Sequence, residues 1–145
     1  MRERLMRCTF TNEQEYQGCR ENVHHCIEDV SDNLPKDQLT MVEIAINEAV
    51  NNAFKYGSGN YNPVTVSIYL FDSNCLFIRI KDKGKGFCVK NFVAEVNSKF
   101  CENNKEWQWG ESGRGLFIME SAMDQVHYNA KGNAVSLIKN IQKLN

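Results

Sequence analysis

Glu48, Asn52 and Lys55 stand four and three residues apart in the run Glu-Ala-Val-Asn-Asn-Ala-Phe-Lys-Tyr-Gly, residues 48–57. On a helix this spacing brings a carboxylate, an amide and an ammonium into one angular sector. The carboxylate can take a proton from an attacking hydroxyl or water. The amide oxygen suits Mg²⁺, which also takes phosphate oxygens and waters. The ammonium is a point charge for phosphate. Tyr56 falls on the border between this sector and the apolar stripe Val42, Ala45, Ile46, Ala49 and Ala53. Taken alone, the trio also fits two solvated helix charges beside an incidental asparagine.

Two glycine-bearing segments follow in order. Asp82 closes an expected strand, and Gly84 and Gly86 come next at alternating positions. A carboxylate at a strand end can accept a hydrogen bond from an exocyclic amine such as that of adenine. Glycines beside it let backbone approach a flat ring with no Cβ in the way. A plain turn has the same composition. A calcium loop is disfavoured, because Lys83 and Lys85 stand where acidic ligands are needed. Gly113, Arg114 and Gly115 are expected to open a helix, offering free N–H groups, the positive end of a dipole and a guanidinium fork for phosphate oxygens. Neither the Walker-type phosphate loop nor a βαβ dinucleotide fingerprint is present. Each segment alone is more often structural; their order together points to a nucleotide with its metal and phosphates.

The elements that must position these groups can be read from periodicity. A short strand is expected at 6–10, then a helix over 13–31 with Tyr16, Cys19, Val23, Cys26, Ile27 and Val30 at three- and four-residue steps. Asp32-Asn33-Leu34-Pro35 breaks it, and a second helix runs to about Tyr56, stopped by Gly57-Ser58-Gly59-Asn60. From Val64 the period changes to two. Strands at 64–70 and 75–81 flank Asp72-Ser73-Asn74 as a hairpin. Residues 88–112 have the irregular composition of a lid. A helix from Gly113 to Asp124 and strands near 125–130 and 134–141 complete the chain, with a turn at Lys131-Gly132-Asn133. The order β-α-α-β-β-lid-α-β-β predicts an α+β fold with a mostly antiparallel sheet covered by helices on one face. All 145 residues are expected to form one domain.

Composition narrows the function classes. The chain is 42% apolar and 24% charged, with a net charge of −1 and cations scattered among acids. No basic patch is visible in the linear sequence, which argues against direct nucleic-acid binding. No signal-peptide or membrane-spanning run occurs, so a cytoplasmic protein with no membrane partner is expected. Cys8, Cys19, Cys26, Cys75, Cys88 and Cys101 include no C-x-x-C pair. They are expected to be reduced thiols, with neither a zinc site nor a disulfide framework.

The three motifs resemble the N box and the two glycine boxes of the GHKL superfamily, the Bergerat-type ATP-binding domain of gyrase, the ninety-kilodalton heat-shock chaperone, histidine kinases and mismatch-repair MutL proteins. The resemblance spans roughly residues 8–141. The stretch Glu111-Ser112-Gly113-Arg114-Gly115-Leu116-Phe117-Ile118-Met119-Glu120, continued to Val126, is similar to the small bacterial anti-sigma-factor serine kinases of partner-switching systems. The resemblance implies ATP and Mg²⁺ as cofactors, with Asn52 ligating the metal and Glu48 as general base. It implies that Asp82 reads the adenine amine, that Gly84 and Gly86 shape its pocket, and that Gly113, Arg114 and Gly115 border the phosphates. Lys55 and Tyr56 match a Lys-aromatic pair that touches phosphate and base in many histidine kinases. The implied partners are a small antagonist (anti-anti-sigma) protein bearing a phosphorylatable serine and a sigma factor. Kinases of this type are often dimers, so a homodimer is an expectation.

The chain departs from the pattern in two places. Some relatives carry a Thr-Lys-Pro-like lid element, where this sequence has Lys99, Lys105, Trp107 and Trp109. The partner surface has no matching motif; Arg20 is one candidate, and a solvated arginine is the plainer reading. His24 and His25 have no phospho-acceptor context and read as surface and half-buried residues of the first helix. A serine kinase is therefore the first expectation. A nucleotide-dependent binding module without turnover is the alternative, and a detached histidine-kinase catalytic domain is a weaker third reading.

Overall fold

A computed structural model describes residues 2–58, 63–83, 111–130 and 132–141, except for the side chains of 56–58 and 111–114. Gly84, Gly86 and the expected lid up to residue 110 lie outside the described residues.

Strand β1 (Arg2–Phe10) leads into helix α1 (Glu13–Val30). Asn12 caps α1, its side-chain oxygen accepting from the Glu15 N–H at 2.8 Å. Helix α2 (Lys36–Asn52) starts directly after Pro35 and passes into a π-helical turn over Ala53–Ser58. The hairpin of β2 (Val64–Phe71) and β3 (Cys75–Asp82) turns through Asp72 and Ser73, both at positive φ (53° and 63°). That backbone matches the twist of the flanking strands. Helix α3 (Glu111–Ala122) and the hairpin of β4 (Gln125–Tyr128) and β5 (Ala134–Asn140) complete the described elements.

The five strands form one antiparallel sheet in the order β1-β2-β3-β5-β4. Alternation along each strand sends Val64, Val66, Ile68, Leu76, Ile78, Ile80 and Leu137 to the buried face. There they join Val23 and Ile27 of α1, Val42, Ile46 and Val50 of α2, and Met119 of α3 in one core. Burying each such side chain contributes about 1.5–3 kcal/mol. The fold is the expected α+β arrangement, with helices on one side of an antiparallel sheet. No helix among the described residues is long and apolar enough to cross a membrane.

Four details differ from the sequence expectation. Strand β1 begins at Arg2 rather than residue 6, because an edge strand with one open face tolerates the charged run Arg2-Glu3-Arg4. Helix α3 begins at Glu111, so Gly113, Arg114 and Gly115 lie inside its first turns instead of opening it. The α-helical part of α2 ends at Asn52, four residues short of Tyr56. Cys8 and Cys19 form a disulfide, correcting the expectation of six reduced thiols. That bond ties the inward side of β1 to α1, two elements that pack directly on one another; Cys26 and Cys75 are free thiols. The strands also gather cations that look scattered in the linear sequence. Arg7, Arg79 and Lys81 share a groove on the open face of the sheet with Thr9, Thr65, Ser67 and Tyr69.

Candidate functional site

The inner end of α2 builds the site. Val42, Ala45, Ile46, Ala49 and Val50 face the core, and this burial fixes the rotation of the helix. The same rotation leaves Glu48 half-buried along the flank that meets α3. Asn52 follows one turn later and is 8% exposed. Its amide Nδ2 is buried and has no hydrogen-bond partner among the described residues. An orphaned buried amide costs about 1–3 kcal/mol, which marks a site made to be completed by something else.

Gly115 of α3 approaches both residues. A β-carbon at Gly115 would stand 3.1 Å from Glu48 Oε2, 3.3 Å from Asn52 Nδ2 and 3.6 Å from Asn52 Oδ1. The first and third sequence motifs therefore meet side chain to backbone, and glycine is the residue type that leaves room between them.

Asp82 ends β3 and is 3% exposed. It lines a narrow recess together with Asn52, Ile80, Tyr128, Gly132 and Asn133. The second motif's carboxylate and the first motif's amide thus share one cavity. Its far wall is the β4–β5 turn. Asn129 Oδ1 accepts from the N–H groups of Gly132 (2.9 Å), Asn133 (3.0 Å) and Ala134 (3.2 Å). Asn129 Nδ2 donates to Asn133 Oδ1 at 2.6 Å. Gly132 has φ 79°, a left-handed conformation that glycine adopts without strain. Asn133 Nδ2 in turn donates to the Asp82 carbonyl at 3.2 Å, and the Asp82 N–H donates to the Asn133 carbonyl at 2.9 Å.

Asn52 links the expected site residues that the structure brings together: Glu48 and Gly115 stand beside its amide, and Asp82 lines the recess with it. Lys55 lies on the π turn with an exposed side chain. The π turn has more residues per turn than an α-helix, so Lys55 no longer keeps the α-helical phase shared by Glu48 and Asn52. Tyr56 is placed on the same turn by its backbone alone, and Gly113 and Arg114 on α3 likewise. Gly84 and Gly86 lie outside the described residues. Tyr128, Asn129 and Asn133 were not among the expected residues. The Asn129-x-x-Gly132-Asn133 spacing was a signal for them, since an asparagine that caps its own turn is a recurrent device.

The residues fit a metal–nucleotide pair in donor type: Asn52 carries an amide oxygen of the kind Mg²⁺ takes, its unpaired buried Nδ2 can donate to an acceptor such as a phosphate oxygen, and Gly115 leaves the space beside both open. Residues 13–139 match the histidine kinase-like ATPase domain family. The chain is 33% identical over 111 residues to an anti-sigma F factor of Anoxybacillus flavithermus, covering 74% of this chain and 73% of the relative. It is 32% identical over 110 residues to the serine-protein kinase RsbW of Staphylococcus aureus, covering 74% and 69% respectively. The chain belongs to the histidine kinase-like ATPase family, whose substrate is a nucleotide.

Proposed function

We propose that this protein is an ATP-dependent serine protein kinase and anti-sigma factor, which phosphorylates a small antagonist protein and sequesters a sigma factor in the cytoplasm. The observation that carries this reading is the convergence of Glu48 and Asn52 on the bare backbone of Gly115, with buried Asp82 in the adjoining recess. A nucleotide laid along that path has its base at Asp82 and its phosphates toward Gly115. Asp82 accepts the hydrogen bond of the adenine amine, and Ile80 supplies an apolar wall. Asn52 would hold Mg²⁺, which would offset the negative charge of the phosphate oxygens. Roles for Lys55 and Arg114 at the phosphates and for Tyr56 at the nucleotide rest on the resemblance of their motifs alone.

Glu48 accepts the proton of the antagonist's serine hydroxyl as its oxygen bonds to the γ-phosphorus. The bond from that phosphorus to the bridging oxygen breaks, and ADP leaves with the electron pair. Positioning and charge stabilisation supply most of the rate in such transfers. A carboxylate held against the phosphate-side glycine favours turnover over mere nucleotide-dependent binding. A homodimer would present two such clefts to its partners.

Transfer of radiolabelled phosphate from ATP to a purified antagonist, with Mg²⁺, tests the reading. Labelled phosphoserine on the antagonist is the expected product. ATP binding without any transfer would assign the chain to sequestration alone. A thermal-shift series with ATP, GTP and no nucleotide should show stabilisation by ATP through mass action; no shift with ATP would overturn the site.

A further inference from the structure

His24, His25 and Glu28 lie on α1, outside the cleft, and their ligand atoms all fall within 4.8 Å of one another. The helix explains the grouping. At 100° per residue, Glu28 stands one turn on at an angle between the two histidines, so the three form a triangle on the surface. His24 Nε2 is 3.1 Å from Glu28 Oε2. Zinc–ligand distances near 2.0–2.2 Å in a tetrahedron set ligand atoms about 3.3 Å apart, so this pair already spans one edge.

A second element fixes the first ligand. Glu43 of α2 lies with Oε1 2.6 Å from His24 Nδ1. A carboxylate on one ring nitrogen is the usual outer arrangement behind a metal-bound histidine; His24 Nε2 faces Glu28 Oε2, so a cation bound there takes the place of the proton those two atoms would share. His25 is 3.6 Å from Glu21 on the preceding turn and can turn from that exposed contact toward Glu28. The rings of His24 and His25 have centroids 5.5 Å apart.

We infer that His24, His25 and Glu28 form a surface site for a zinc-class divalent cation, with Glu43 as a positioning residue and water in the remaining place. Imidazole and carboxylate together suit Zn²⁺ and its neighbours Ni²⁺ and Cu²⁺ better than Mg²⁺, which takes oxygen ligands. The occupied site would stiffen α1 against α2 through the Glu43 contact. It is independent of the nucleotide cleft.

Calorimetric titration of the untagged full chain with ZnCl₂ in chelator-treated buffer, repeated with MgCl₂, tests the proposal. One Zn²⁺ per chain is expected, and no saturable Mg²⁺ binding in the absence of nucleotide. His24→Ala and Glu28→Gln should each weaken Zn²⁺ at least about tenfold, and Glu43→Gln about tenfold through loss of the outer hydrogen bond. His127→Ala should leave the affinity unchanged, because His127 faces Gln125 on β4. The Co²⁺ form should lack intense thiolate absorption, which separates this site from the free cysteines. Absent Zn²⁺ binding, equal affinity in the His24→Ala/His25→Ala double variant, or a thiolate spectrum would each overturn the assignment and leave an ordinary ion pair on a helix. His25 and Glu28 are more than half exposed, so their variants should melt with the parent in the absence of zinc, whereas His24 and Glu43 are 40% and 26% exposed and pair across α1 and α2; if the His24 or Glu43 variant melts early, the affinities of Glu28→Gln and His25→Gln decide, and parent-like affinity in both overturns the assignment.

Discussion

Asp82 and Asn133 are joined twice: the Asp82 N–H donates to the Asn133 carbonyl at 2.9 Å, and Asn133 Nδ2 donates to the Asp82 carbonyl at 3.2 Å. The end of β3 is thereby clamped to the β4–β5 turn, which fixes the backbone of Asp82 beside the recess it lines with Asn52. Asp82→Asn keeps the shape and replaces an acceptor oxygen with a donor. ATP affinity should fall by roughly 1–3 kcal/mol, the cost of a mismatched buried hydrogen bond, and preference for ATP over GTP should weaken. Calorimetry with both nucleotides measures this; undiminished ATP affinity would remove Asp82 from the site.

Asn133→Ala breaks one of the two ties and removes the Asn129 Nδ2 acceptor. Stability should drop by about 1–2 kcal/mol in urea unfolding. ATP affinity should fall less than in Asp82→Asn, because the carboxylate itself is still present. The reverse order of effects would place nucleotide contact on the turn instead of on the strand end.

Gly115→Ala separates stability from activity. Alanine is about 1 kcal/mol better than glycine inside a helix, which offsets part of the cost of the close contacts it makes, so the nucleotide-free protein should remain folded. The added methyl would press on Glu48 Oε2 at 3.1 Å and Asn52 Nδ2 at 3.3 Å. Small displacements of reacting groups are costly, so phosphoryl transfer should fall about a hundredfold. A variant that folds and transfers phosphate normally would show that α3 does not border the reacting groups.

Glu48→Gln retains the volume and hydrogen-bonding reach of the side chain but not its basicity. ATP binding should persist while transfer to the antagonist drops by about 10²–10⁴-fold. A single-turnover assay at saturating ATP distinguishes the two quantities. Transfer near the parent rate would move the base role elsewhere.

Tyr16 offers a pH test away from the site. Its hydroxyl donates to Asn47 Oδ1 across the α1–α2 contact, and burial pushes the phenol up to about 12. The unfolded phenol ionises near 10, so between pH 10 and 12 the native state holds more protons than the unfolded one. Stability from this group is complete below pH 10 and declines as pH rises through that window. Tyr16→Phe should lower stability by about 1 kcal/mol at pH 7 and flatten the decline above pH 10, as followed by urea unfolding. An unchanged alkaline slope would mean the hydroxyl titrates freely in the folded protein.

Much of this arrangement was legible in the residues. The change of period at Val64 marked the β2–β3 hairpin, and the three- and four-residue steps from Tyr16 to Val30 marked α1. The wheel of α2 correctly set Glu48 and Asn52 beside the buried stripe. Lys55 could not be phased that way, because nothing in Ala-Phe-Lys-Tyr-Gly-Ser announces a π turn. The Arg7, Arg79 and Lys81 groove was hidden for a different reason. Its members are far apart in the chain and become neighbours only through strand register, with Arg7 opposite Ser67 and Ser67 opposite Arg79. The Cys8–Cys19 bond was likewise a matter of which faces meet, and cysteine spacing carries no information about that.

The π turn beginning at Ala53 has one more consequence. Up to Asn52 the helix is locked by what it buries, so lengthening or shortening it by a residue would rotate Glu48 and Asn52 out of alignment together. Past that point the wider coil changes the helical phase, while Ala53 and Phe54 still pack on the core. A residue added or lost after Phe54 would therefore re-aim Lys55 and the chain beyond it, while the two groups nearest Gly115 stay where they are.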